Sequence, residues 1–155
     1  MKKQLLIFTL GATLLSLDLF ASKAVTPKAL EILANAEKAV PALSPKEFHT
    51  MIDEDADFIQ LDIRENDENS HGEIWSFNKV YMTRGYLEYK IEGEIGDKNK
   101  NIVVVCCSGK RAALAAKTLH ELGYKNVKFL QGGVGGWLKA GYPLDTVFGE
   151  LWLKK

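Results

Sequence analysis

The chain has 155 residues, 46% hydrophobic and 26% charged, with 20 basic and 20 acidic side chains. That composition excludes a disordered or fibrous chain, and the charge balance argues against a nucleic-acid binder or a polybasic membrane protein. The length suits one domain with a real core, and two cysteines cannot make a disulfide scaffold.

Lys2 and Lys3 precede an apolar run, Leu5 to Leu17, followed by Asp18 and the small residues Ala21, Ser22 and Ala24. This is the order of a secretory signal peptide. The run is shorter than the roughly 20 residues of a membrane-spanning helix. An uncleaved anchor is the competing reading, and Asp18 speaks against it. Residues 1–24 are therefore expected to be an address, cleaved near 21 to 24. The expected location is the periplasm, with no membrane association after cleavage.

Residues 25–43 read as an N-terminal helical extension, in which Thr26 to Val40 is an amphipathic helix with Pro27 at its start. Ser44-Pro45-Lys46-Glu47 is a capping box that opens a helix carrying Phe48, Met51 and Ile52. Phe58 to Ile63 alternates as a strand, and Arg64 to Gly72 reads as a polar loop. Val80 to Met82 is a short strand and Tyr86 to Ile91 a short helix. Asn101 opens Ile102 to Cys106, a β-branched run typical of a strand buried on both faces. Lys110 to Leu122 is an alanine-rich helix stopped by Gly123. Val127 to Leu130 is a further strand, and Val134 to Ala140 a last helix before Gly141 and Pro143. The alternation predicts an α/β domain around a parallel sheet, over residues 44–145, with 146–155 as a C-terminal tail.

The chemistry is concentrated in Val103-Val104-Val105-Cys106-Cys107-Ser108-Gly109-Lys110-Arg111-Ala112. A cysteine stands at the carboxyl end of a buried strand, where ligands bind in open α/β sheets. A glycine-containing loop and a helix start follow it. The helix start offers free amides and the positive end of a dipole, and Lys110 and Arg111 add charge. Such surroundings favour a nucleophilic thiolate on Cys106. The plainer alternative is a buried structural cysteine, which has no need of two cations and a helix start directly after it.

Cys106, Gly109 and Arg111 match the Cys-x-x-Gly-x-Arg loop of the rhodanese (thiosulfate sulfurtransferase) family, with Ala112 in place of the usual serine. Leu61-Asp62-Ile63-Arg64-Glu65 looks like that family's Asp-Val-Arg motif. Gly72-Glu73-Ile74 resembles its Gly-His-Ile, and Arg84-Gly85-Tyr86-Leu87-Glu88 its Arg-Gly-x-Leu-Glu. Leu130-Gln131-Gly132-Gly133 with Trp137 resembles its closing segment. Glu73 departs from the usual histidine, and Trp75-Ser76-Phe77 replaces Pro-Gly-Ala. The resemblance implies a three-layer fold with a central parallel sheet flanked by helices.

It also implies ping-pong sulfur transfer through a Cys106 persulfide, with no cofactor and no metal. In that reading Cys106 is catalytic. Arg111, Lys110, Cys107, Ser108 and Gly109 bind a small anionic sulfur donor, the amides of 107–111 turning inward. Asp62 and Arg64 brace the loop, the alternative being a surface ion pair. The acceptor is a thiol or a protein that the sequence does not identify. Related dual-specificity phosphatases place one more residue between cysteine and arginine than the four found here, Cys107 through Lys110. Two further readings compete with the enzyme: a non-catalytic binding or persulfide-carrier module, and a thiol-disulfide protein that would use Cys106 with Cys107. Adjacent cysteines rarely meet disulfide geometry, so packing is the expected role of Cys107.

Other candidates are plainer. Arg84 is expected on the surface and Trp137 in the core. Glu65, Asp67 and Glu68 are expected to be solvated. Asp53, Asp55 and Asp57 begin like a calcium loop, but Phe58 stands where glycine is required. Gly132 to Gly136 lacks dinucleotide spacing, and His49, His71 and His120 follow no zinc pattern.

Overall fold

The structure is a computed structural model and describes residues 25–153. The signal peptide expected over residues 1–24 lies outside the described residues. The elements in chain order are α1 (Pro27–Ala39), β1 (Ala42–Leu43), α2 (Pro45–Asp53), β2 (Ile59–Asp62), α3 (Asn66–Ser70) and β3 (Lys79–Tyr81). A 3-10 turn (Arg84–Tyr86) leads into α4 (Leu87–Glu94) and β4 (Asn101–Val105). Then come α5 (Lys110–Glu121), β5 (Asn126–Leu130), α6 (Gly133–Lys139), β6 (Leu144–Thr146) and β7 (Gly149–Leu151).

Strands β1 to β5 form one parallel sheet in the order β1-β5-β4-β2-β3. The central strand is β4, buried from Ile102 to Val105 as its β-branched run requires. Alternate side chains feed two cores. On one face Leu61, Ile102, Val104 and Phe129 meet α1, α4 and α5 through Ala36, Leu87, Ile91, Ala113, Ala116 and Leu119. On the other, Val103, Val105 and Leu130 meet α2 and α6 through Phe48, Val134 and Trp137. This is the three-layer arrangement.

The capping box forms in full. Glu47 N–H donates to Ser44 Oγ, and Ser44 N–H donates to Glu47 Oε2 at 2.8 Å. Three local expectations are corrected. The polar loop contains the short helix α3, whose Glu68 side chain accepts from the Glu65 amide at 2.9 Å. The extension supplies an edge strand that periodicity missed: β1 is two residues long and is set by pairing to β5. The expected tail is in part the antiparallel hairpin β6–β7, fastened to the domain by a backbone bridge from Asp145 to Glu73. Two- and three-residue strands carry too little pattern to be read without their partners. Among the described residues no helix is long and apolar enough to cross a membrane.

Candidate active site

Cys106 directly follows β4 at the carboxyl end of the central strand, with no exposed surface. Its Sγ accepts the Gly109 amide at 3.2 Å and the Ala112 amide at 3.3 Å. Helix α5 has no side-chain cap. The sulfur fills that role, taking the amide three residues after the capping position. Among the described residues, Gly109 alone of the 107–111 amides expected to turn inward bonds the sulfur. Ala112 lies one residue beyond the expected stretch, at the position where the usual serine is replaced.

The loop is held open by glycines from a different segment. The carbonyls of Cys106 and Cys107 accept the amides of Val134 and Gly135, each at 2.9 Å. With those carbonyls turned toward α6, the Gly109 amide faces the sulfur. Gly133 has φ +56°, and a Cβ there would lie 2.1 Å from the Cys106 carbonyl oxygen. Gly109 has φ +83°, and a Cβ there would lie 2.9 Å from the Gly132 nitrogen. Both positions require glycine for conformation and for space.

Asp62 and Arg64 are not a surface pair. Both are almost wholly buried. Arg64 donates from Nε to Oδ1 and from Nη2 to Oδ2 of Asp62, at 3.0 and 2.7 Å. Its Nη1 donates to the carbonyls of Glu68 and Gly72, at 3.2 and 3.0 Å. The pair therefore ties the end of β2 to the middle of α3 and to the turn that follows it.

Glu68 corrects the expectation of a solvated loop. Arg111 donates from Nη1 to Glu68 Oε2 at 2.8 Å and from Nη2 to Oε1 at 2.6 Å. The Cys107 thiol also donates to Glu68 Oε1, at 2.9 Å. The Arg111 fork and the Cys107 hydrogen bond hold the Glu68 carboxyl down to about 2. Glu68 in turn holds Arg111 more firmly protonated. Burial, then the hydrogen bond to Glu68, push the Cys107 thiol up to about 11. Cys107 thus points into the loop as a neutral thiol, and both cysteines are free. The signal that could have found Glu68 is its place in an acidic segment directly after a buried Asp-x-Arg pair.

Ser108 and Lys110 stand exposed at the rim, and among the described residues Lys110 pairs with no carboxylate. Arg84, expected on the surface, is half-buried. It pairs with Glu88 at 2.8 Å and donates to Thr118 Oγ1 at 3.2 Å. Trp137 is a core residue, 4% exposed, its Nε1 donating to the Pro143 carbonyl at 2.7 Å. Chemically, the site offers an enclosed sulfur nucleophile with two amide donors, beside an arginine already engaged by a carboxylate.

The rhodanese-like domain family matches residues 44–140. A thiosulfate sulfurtransferase, GlpE of Haemophilus influenzae, is 30% identical over 107 residues, covering 68% of this chain and 95% of its own. The polysulfide-sulfur transferase homodimer of Wolinella succinogenes is 32% identical with TM-score 0.63, over 79% of this chain and 85% of that one. A protein of unknown function from Rhodopseudomonas palustris, solved as a possible tyrosine phosphatase, is 30% identical with TM-score 0.67. That match covers 80% of this chain and 98% of that one.

Proposed function

Since the chain belongs to the rhodanese-like family of sulfurtransferases, we propose that it carries sulfane sulfur on Cys106, taken from thiosulfate or a similar anion. The observation that carries this reading is the Cys106 sulfur, capped by the Gly109 and Ala112 amides at the strand end. Those donors and the α5 N-terminus stabilise negative charge on the sulfur before and after transfer.

In the first step the Cys106 thiolate attacks the outer sulfur of thiosulfate. A new S–S bond forms, the donor's S–S bond breaks, and its electron pair leaves with sulfite. In the second step a thiolate or cyanide attacks the outer sulfur of the persulfide, and the Cys106 thiolate returns. No general base is required. Lys110, exposed and paired with no carboxylate among the described residues, draws the anion to the rim. Arg111 then exchanges part of its contact with Glu68 for the donor's oxygens. The four-residue spacing from Cys106 to Arg111 supports sulfur rather than phosphate as cargo.

Export to the periplasm belongs to the same proposal. It rests on the basic, apolar and small-residue order of residues 1–24. The purified protein, mixed with thiosulfate and cyanide, is expected to form thiocyanate and to gain the mass of one sulfur on Cys106. Cys106→Ser abolishes both. A persulfide without turnover would favour the carrier reading, and neither signal would leave a binding module.

A further inference from the structure

Glu73, Trp75 and Phe77 are among the sequence departures that the sulfur chemistry does not use. The fold gathers them beside the C-terminal hairpin. Glu73 bridges to Asp145, and Asp145 lies opposite Glu150 in the β6–β7 register. Cross-strand neighbours share a face, so three carboxylates stand in one row, an arrangement that costs stability when uncompensated. Among the described residues the one cation paired with this row is Lys79, on Glu73. Glu150 receives only the neutral Trp152 Nε1, at 3.1 Å.

Beside the row is a cavity of about 350 Å³, lined by Asp145, Glu150, Trp75, Trp137 and His49. Trp75 is 45% exposed and meets Phe77, 67% exposed, edge to face at 4.6 Å between centroids. At the hairpin tip Val147 and Phe148 are 92% and 98% exposed. An apolar surface of this kind marks an interaction site. Strand β7 pairs with β6 alone among the described strands, so its outer edge has free backbone groups.

We infer that this surface docks an extended segment of a partner protein, placing a basic side chain between the Asp145–Glu150 carboxylates and Trp75. Charge complementarity selects the partner. A guanidinium or ammonium head answers the two carboxylates, which pair with no cation among the described residues, its stem and the indole face adding cation–π and apolar contact. Apolar neighbours in the segment cover Phe77, Val147 and Phe148, which a small free cation cannot reach. The edge of β7 pairs with its backbone. A second copy of this chain fits poorly, because a two-fold contact sets the acidic row against itself. The docked segment lies beside α3, since Asn69, Ser70 and Gly72 line one cleft with Asp145 and Val147. The inference goes beyond sulfur transfer and does not depend on it.

The test uses the full chain labelled with nitrogen-15 and a capped peptide alternating arginine with leucine. Saturable shifts of the Trp75 and Trp152 indole N–H signals are expected. Replacing arginine by citrulline, or combining Asp145→Asn with Glu150→Gln, is expected to weaken binding about tenfold or more. That double variant keeps its transfer rate with small donors. Four results would overturn the inference. These are no saturable shift, equal binding of the citrulline peptide, agmatine binding as tightly as the peptide, or a dimer that Phe148→Asp dissolves.

Discussion

At the residue scale, the loop is governed by a carboxylate that binds its arginine. Glu68 is held near 2 against an ordinary value of 4.5, so the folded state favours its ionised form. A carboxyl depressed on folding gives stability that is complete above the ordinary value and is lost as pH falls through the folded one. The pair's contribution is therefore expected to drain between pH 4.5 and about 2. Glu68→Gln should lower stability at neutral pH by about 1 kcal/mol, a modest figure because Arg111 is a third exposed. The difference from wild type should vanish near pH 2 in urea melts. Cys107 is expected to be a bystander, since a thiol raised to about 11 is protonated at neutral pH. Cys107→Ser should keep the transfer rate within about twofold. In the Cys106→Ser background, iodoacetamide at neutral pH should leave Cys107 unmodified by mass spectrometry. Cys106 was legible from its place after a β-branched strand. Glu68 was not, because a polar side chain in an acidic segment looks solvated until the fold brings Arg111 to it.

At the element scale, the reactive loop depends on α6 as much as on α5. The amides of Val134 and Gly135 hold the two cysteine carbonyls, and this orientation frees amides for the sulfur. Gly133→Ala puts a methyl group 2.1 Å from the Cys106 carbonyl oxygen at φ +56°. It is expected to cost about 3 kcal/mol or more, with loss of persulfide formation, whereas Gly85→Ala, at an ordinary φ, meets no atom within 4 Å. Thermal unfolding together with sulfur uptake separates these outcomes. The pairs of helix and strand were readable because caps and periodicity are local. The pairing of α6 with the loop was not, because residues 106 and 133 are distant in sequence and the repulsion that demands glycine comes from across the fold.

At the scale of the whole molecule, the core extends beyond residues 44–140, where the family match lies. Ala36 of α1 and Val40 just after it are buried in the same cluster as α5, and β1 completes the sheet beside β5. A chain starting at Ser44 leaves that side of α5 and one sheet edge uncovered. It is expected to melt about 10 °C lower or to aggregate, as calorimetry and light scattering would show. The sequence by itself determined the class of fold, the central strand and the place of Cys106 at its end, because strand burial, helix capping and loop glycine are written in neighbouring residues. Only the tertiary structure decided which charges meet. It buried the Asp62–Arg64 pair, carried Glu68 to Arg111, and lined Glu73, Asp145 and Glu150 along one face. Those encounters depend on segments far apart in the chain, and electrostatic energy depends on distance and burial, which one-dimensional order does not contain.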